Sequence, residues 1–315
     1  MADIIKSATR ASYGKALVKL GHERDDFIVL DADLAAATQT GKFKKEFPDR
    51  FYDCGIAEQN MISIAAGIAA TGKKVFASSF AMFAAGRAFE QVRNSIGYPH
   101  LNVIIGATHA GISVGEDGAT HQCCEDIALM RTIPGMTIIN PADETEAKMA
   151  LAAALDHDGP VYMRFGRLAV PVIFGDDYKF EIGKGVELKE GTDVTIVASG
   201  LMVNEAMQAY DLLKAEGISA RIINIHTIKP LDKDIILKAA KETGAIVTAE
   251  EHSVIGGLGS AVSEVLAEEY PVPVVKLGVY DTFGHSGPAP KLLDEFGLRA
   301  ANIVEKAKKA ISMKK

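Results

Sequence analysis

Short β-rich runs alternating with longer Ala-rich helical stretches predict an α/β protein of two domains, the first built on a mostly parallel sheet and the second smaller. Three observations carry this expectation. The alternation occurs twice along the 315 residues, broken once by a turn-rich stretch. The expected strands are continuous apolar runs, the pattern of strands covered on both faces. The chain is also longer than the about 100 to 200 residues of a typical single domain.

In the first alternation the expected strands are Phe27–Leu30, Val75–Ser79, Leu101–Gly106, Met136–Ile139 and Val161–Phe165. Glu58 opens a helix that continues through the small apolar residues Ile62 to Ala70. After Pro141, Asp143 and Glu146 stand at the spacing of a capping box, so a helix is expected through Ala147–Leu155, ending before Gly159. From about Arg167 to Asp193 the pattern loosens into Gly, Asp and Lys turns, as between two domains. The expected division is a first domain over 1–173, a linker over 174–190 and a second domain over 191–315. There the strands are Val194–Ala198, Arg221–Ile225, Ala245–Ala249 and Val274–Val279, with a helix over Glu205–Glu216. No repeat of about 20 to 50 residues supports a solenoid or propeller.

Composition narrows the possibilities further. Hydrophobic residues are 48% and charged residues 24% of the chain, as in folded globular proteins rather than disordered or fibrous ones. A net charge of -7 without a long basic run gives no footprint for nucleic acid. No apolar run approaches the about 20 residues that cross a bilayer, and the opening MADIIKSATR lacks a basic start followed by an apolar stretch. A cytoplasmic chain with no membrane partner is expected. Cys54, Cys123 and Cys124 match neither zinc nor redox spacing and are expected as reduced thiols.

Several segments could carry chemistry. Glu58, in Cys54-Gly-Ile-Ala-Glu-Gln-Asn-Met61, precedes an apolar helix, and burial there would raise its pKa. The bland alternative is a first-turn acid favoured by the helix dipole. Phe80 and Phe83 leave a strand at the carboxyl edge of the sheet, where ligands of open α/β sheets bind, and could flank a flat heterocycle. They could equally fill the core. The stretch Thr108–Gln122 puts His109, Glu116, Asp117 and His121 on one glycine-rich loop, where groups titrating near neutrality could move protons or bind phosphate and hydroxyls. Its spacing does not suit a metal site. Arg164 and Arg167 add positive charge at the same edge, one as an anion-binding group and the other as a brace toward the linker. Asp31 and Asp33 could hold sugar hydroxyls or shape a turn. The glycine-rich stretch Glu250–Gly259 lacks dinucleotide-site spacing and is expected to pack tightly, with His252 and His285 as secondary neighbours of the site.

The motifs Asp31-Ala-Asp-Leu, Gly55-Ile-Ala-Glu-Gln-Asn-Met, Ser79-Phe-Ala-Met-Phe and Gly115-Glu-Asp-Gly-Ala-Thr-His-Gln occur in that order. Through them essentially the whole chain resembles the carboxyl-terminal two-thirds of transketolase, and most nearly the separate subunit of split enzymes. The resemblance implies a thiamine diphosphate pyrimidine-binding domain followed by a transketolase carboxyl-terminal domain. It implies that Glu58 bonds the aminopyrimidine of the cofactor and favours its imino tautomer, with Phe80 and Phe83 around that ring. It implies that His109 and Arg167 contact the sugar and phosphate of a ketose donor and that Asp117 and His121 touch substrate hydroxyls and assist proton movement, so His109 joins His121 and Glu58 as a catalytic candidate and Asp33 joins the substrate-binding ones. The carbanion chemistry itself belongs to the cofactor.

Two departures matter. Where the family has a phosphate-binding Ser shortly after Asp33, this sequence has Ala37 and Thr38, leaving phosphate affinity and sugar choice open. The family's Gly-Asp-Gly stretch, which holds Mg²⁺ and the diphosphate, does not occur in this sequence. The resemblance therefore implies an amino-terminal transketolase subunit as partner, carrying the diphosphate and Mg²⁺, with self-association of the assembly and phosphorylated sugars as substrates. The competing readings are the beta subunit of a 2-oxoacid dehydrogenase, a fragment like deoxyxylulose phosphate synthase, and a catalytically silent scaffold protein.

Overall fold

The computed structural model describes residues 5–314. In chain order, its first half contributes β1 (Lys6–Ala8), β2 (Phe27–Asp31), β3 (Phe51–Asp53), β4 (Lys74–Phe80), β5 (Val103–Thr108), β6 (Thr137–Ile139), β7 (Val161–Arg164) and β8 (Ala169–Pro171). Its second half contributes β9 (Val186–Lys189), β10 (Val194–Ala198), β11 (Ala220–Asn224), β12 (Thr227–Lys229), β13 (Ile246–Ser253) and β14 (Val274–Val279). The 7-stranded sheet has the order β12-β6-β7-β5-β4-β2-β3 and is parallel except for β12. The 5-stranded sheet has the order β14-β13-β10-β11-β9, again parallel except at one edge, β9. β1 and β8 form a separate antiparallel pair.

The apolar strands are buried because helices cover both faces of the larger sheet. On one side Met61, Ile62, Ala65 and Ala69 of the helix Glu58–Ala69 pack against Val75, Ala77 and Ile105. On the other, Tyr13 and Leu17 of the helix Thr9–Glu23 and Leu151 and Leu155 of the helix Glu144–Asp156 pack against Phe76, Ile104 and Met163. The small residues of the first helix let it lie close to the sheet, which positions its first turn beside the carboxyl end of β4.

Two elements depart from the expected division. The stretch expected as a linker, 174–190, ends in β9, an antiparallel edge strand. β12 lies in the second half of the sequence yet pairs with β6, at the edge of the first sheet. Both are short and partly polar, so neither shows the apolar run by which the central strands were found.

The two halves are fastened by buried polar contacts. Arg164 is 3% exposed; it donates to Asp126 Oδ2 at 2.8 Å, to Cys123 O at 3.2 Å and to Glu251 O at 2.9 Å. Nearby, Asp143 accepts from Ile173 N and Phe174 N at 2.6 and 2.8 Å, while Glu146 accepts from Asn224 Nδ2 at 2.8 Å and Tyr178 OH at 2.6 Å. Burial pushes the Glu146 carboxyl up to about 7. Among the described residues no helix is long and apolar enough to cross a membrane.

Candidate active site

The carboxyl ends of β2, β4, β5 and β7 converge at one edge of the larger sheet, where ligands bind in open α/β folds. Phe80 ends β4, and Phe83 lies in the π-helical turn Met82–Arg87 that follows. Such turns often re-aim side chains at functional sites. Their rings are 5.8 Å apart at 14°. His109 follows β5 with φ +57, a backbone state that a non-glycine residue adopts at some cost and that is found at functional positions. This turns its ring onto Phe80, 3.8 Å away at 26°. His121 meets Phe83 edge-on at 5.3 Å and Phe80 at 6.1 Å. Four aromatic rings thus form one wall, with Phe83 and His121 only half-buried.

Glu58 stands at one end of this wall. It is 2% exposed in the first turn of its helix, whose Ncap, Ala57, offers no side-chain cap. Arg87 donates to Glu58 Oε2 at 2.9 Å and lies over the Phe83 ring at 4.6 Å. The guanidinium is a fixed positive charge against a buried carboxylate, a partner that the apolar helix pattern does not reveal. Ser79, beside Phe80, has a buried hydroxyl with no hydrogen-bond partner.

At the other end Arg10 donates from Nη1 to Ala37 O at 2.8 Å and approaches His109 Nε2 at 3.2 Å. Arginine has no acceptor, so Nε2 must present its lone pair. The ring proton then sits on Nδ1, 2.9 Å from Thr108 Oγ1. Burial, with Arg10, Arg167 and His121, pushes the His109 pKa down to about 3. This corrects the expectation of a group titrating near neutrality: His109 is a neutral imidazole of fixed tautomer.

The remaining residues divide. Arg167 donates to Val114 O and pairs with Glu116 at 2.8 Å, and its positive charge is felt at both Arg10 and His109. Asp117 is exposed and acts electrostatically on Arg10, while His121 Nδ1 lies 2.9 Å from Thr120 Oγ1. Asp33 is exposed at φ +61, its N–H donating to Asp53 at 3.0 Å, and makes no hydrogen bond to the aromatic wall. Asp31 points inward: fully buried, it accepts from Thr38 and Thr40 hydroxyls at 2.7 and 2.8 Å, and burial raises it to about 6. That contact occupies the Thr38 hydroxyl, so the Ala37–Thr38 pair presents no free hydroxyl toward a ligand. Arg164 is the brace of the two arginines. His252 is fully buried between Asp126 and Glu250, at 3.9 and 3.7 Å, away from the wall. His285 pairs with Glu295 at 3.1 Å. Glu250 accepts from Leu258 N and Gly259 N at 2.7 and 2.8 Å, so the glycine-rich stretch caps a helix. Among the described residues no group of three His, Cys, Asp or Glu could hold a metal, and the three cysteines are free thiols.

Sequence reasoning missed Arg10 and Arg87. They reach His109 and Glu58 across 99 and 29 residues of chain, and Arg10, in the first turn of the helix Thr9–Glu23, belongs to no motif that marks it.

The profile of the transketolase pyrimidine-binding domain matches residues 6–172, and that of the transketolase C-terminal domain matches 183–303. The chain belongs to the transketolase family. It is similar to a Methanocaldococcus jannaschii protein provisionally named a transketolase C-terminal section, at 50% identity over 94% of each chain. It is similar to a 6-deoxy-6-sulfo-D-fructose transketolase subunit of Clostridium sp., at 45% identity over 95% of this chain and 92% of the other. Among solved structures, a split-gene transketolase described as an inactive beta4 tetramer superimposes with TM-score 0.90 at 52% identity, covering 98% of this chain and 99% of the other. Against the rat transketolase the match is 41% over 96% of this chain but only 49% of the longer protein. A transketolase pyrimidine-binding domain implies thiamine diphosphate, and the residues fit its ring: an aromatic wall, a buried carboxylate at the edge of that wall, and an unpartnered buried hydroxyl beside it.

Proposed function

We propose that this chain is the pyrimidine-binding subunit of a split transketolase, which moves a two-carbon ketol unit from a ketose phosphate to an aldose phosphate. A second polypeptide, the amino-terminal subunit, would supply the diphosphate and Mg²⁺ site. The observation that carries this reading is the open edge of the aromatic wall. On the segment that carries Glu58, Ile56 is 79% and Ile64 37% exposed, apolar side chains suited to a covering protein surface. The half-length match to single-chain transketolase and the split, inactive relative support the same reading. Residues 1–173, with Thr227–Lys229 completing their sheet, would form the ring-binding domain and 191–315 the second domain, joined through 174–190, whose end supplies β9 to the second sheet.

Thiamine diphosphate would bring the nucleophilic carbon and the electron sink for two-carbon transfer. Glu58 would hold a nitrogen of the aminopyrimidine ring by a hydrogen bond inside a desolvated pocket, with Arg87 beside its carboxylate. Phe80 and Phe83 would flank the ring and exclude water. His121 and Asp117 bond and orient sugar hydroxyls, neutral His109 joins them where a sugar hydroxyl takes the place of Arg10 at Nε2, and Asp33 stands at the outer rim. His121, half-buried, is the better placed of the two histidines to move a proton. Arg10 and Arg167 give fixed positive charge for the anionic end of the sugar. With no free hydroxyl at Ala37–Thr38, that charge suits any tetrahedral oxyanion, phosphate or sulfonate.

The test is ketol transfer from xylulose 5-phosphate to ribose 5-phosphate with thiamine diphosphate and Mg²⁺, by this chain alone and mixed with an amino-terminal subunit. Activity confined to the mixture supports the proposal. Activity of the lone chain, or a mixture that only decarboxylates 2-oxoacids, overturns it.

A further inference from the structure

The loop from Gly111 to Cys124 carries Asp117 and His121 and follows directly on His109, yet much of what holds it comes from the second domain. At its near end Glu251, on β13, accepts from Ser113 N at 2.6 Å. Glu251 is 3% exposed and packs so tightly on Gly111 that a Cβ there would overlap its carboxylate. Gly111 has φ +83, and its N–H donates to Cys123 O at 2.8 Å, closing the loop's neck. At the far end Gln122 Nε2 donates to His285 O at 3.0 Å, and Cys124 O accepts from Ser253 N at 2.8 Å. Arg164 joins the neck to β13 by donating to both Cys123 O and Glu251 O. Within this seam, Glu251 contributes the side-chain acceptor for a loop amide.

We propose that Glu251 is a positioning residue: its carboxylate seats the turn Gly111–Ser113, and through it the second domain sets where His109 and His121 stand at the site of the first. The functional part of this inference rests on the transketolase reading; the structural part does not. A buried carboxyl group that accepts a loop amide, its pKa pushed up to about 7 by burial, is a costly way to fill space, since an apolar side chain would pack there without desolvating a polar group. What it supplies is direction. The carboxylate fixes one N–H two residues from Gly111, at the point where a left-handed backbone could otherwise swing the loop.

The experiment uses Glu251→Gln, which keeps size and an acceptor, Glu251→Asp, which withdraws the acceptor by one methylene, and Glu251→Ala. In the full chain alone, amide hydrogen exchange at Ser113 should accelerate about tenfold or more in the Asp and Ala variants, with the β5 and β10 amides unchanged and the Gln variant like wild type. In the assembled enzyme, kcat/KM for the ketose donor should fall about 10- to 100-fold in Asp and Ala and be rescued in Gln, because misplacement by about an ångström has such effects. Ser113 protection that survives in Asp overturns the proposal. So does exchange that rises throughout the core together with Ser113, or a Gln variant as impaired as Ala. If Ala does not fold, Asp decides. Wild-type enzyme without ketol transfer would sink the functional reading alone, because the exchange measurements decide the seating of the loop independently.

Discussion

Replacing Arg10 by Met should raise the pKa of a histidine 99 positions away in the sequence. Arg10 Nη1 stands 3.2 Å from His109 Nε2, and a proton arriving there would face a guanidinium head-on. Two unit charges about 4 Å apart repel by about 4 kcal/mol at an effective dielectric of about 20 and about 1 kcal/mol in water. Arg10 is only partly buried, so about 1 to 2 kcal/mol is the appropriate range, close to one pKa unit. Burial is the larger cause and remains in the variant. His109 should therefore move from about 3 to about 4, with Arg167→Met giving a smaller rise. The assay is the imidazole Cε1–H shift between pH 4.5 and 8, assigned with His109→Gln. Wild type should show no His109 titration above pH 5, and Arg10→Met an onset at the acid end. A wild-type midpoint near 6.5, or no change on removing Arg10, would refute the argument. The linkage to stability has a definite sign. The unfolded chain takes up this proton first, so stability present above about pH 6.5 is lost as pH falls, by about 1.4 kcal/mol per unit. Between pH 7 and 5 His109 alone would remove about 2 kcal/mol, and His109→Gln should lose that part of the acid sensitivity.

Other outcomes follow from the same geometry. Glu58→Gln should lower ketol transfer in the assembled enzyme by about 100-fold or more while leaving the thermal midpoint of the chain near wild type. Arg164→Met strands Asp126, 0% exposed, without its 2.8 Å partner, and should cost about 3 to 5 kcal/mol in urea unfolding. Arg167→Gln should raise KM for the ketose about tenfold with a much smaller effect on kcat, measured by initial rates over donor concentration.

The central architecture was legible because it is apolar. Val194–Ala198 and Val274–Val279 are strands over the residues expected, since runs buried on both faces have no other way to be satisfied. The helix after Pro141 was legible through its cap: Asp143 accepts from Glu146 N as expected, although Glu146 reaches back to Ala142 N rather than to its N-cap. The edge strands β9 and β12 were not legible, because three or four half-polar residues carry no periodicity of their own. At the site, the strand-end position of Phe80 and Phe83 and the burial of Glu58 were anticipated from the strand end and the apolar helix, whereas the packing of His109 and His121 on those rings was not. The ionic partners that define their chemistry were not. Arg87 and Arg10 are ordinary surface arginines by pattern, and only folding brings them to Glu58 and His109. The inward turn of Asp31 was equally hidden, since Thr38 and Thr40 meet it only once the loop closes.

The pairing of β12 with β6 makes the two halves inseparable as pieces. A chain cut near residue 174 would leave β6 with a bare row of N–H and C=O groups, at an edge the intact protein keeps covered. Such an edge recruits other strands. The first half would therefore be expected to aggregate when expressed by itself, and exchanging its second domain for that of a relative should succeed only if Thr227–Lys229 stays with the sheet it completes.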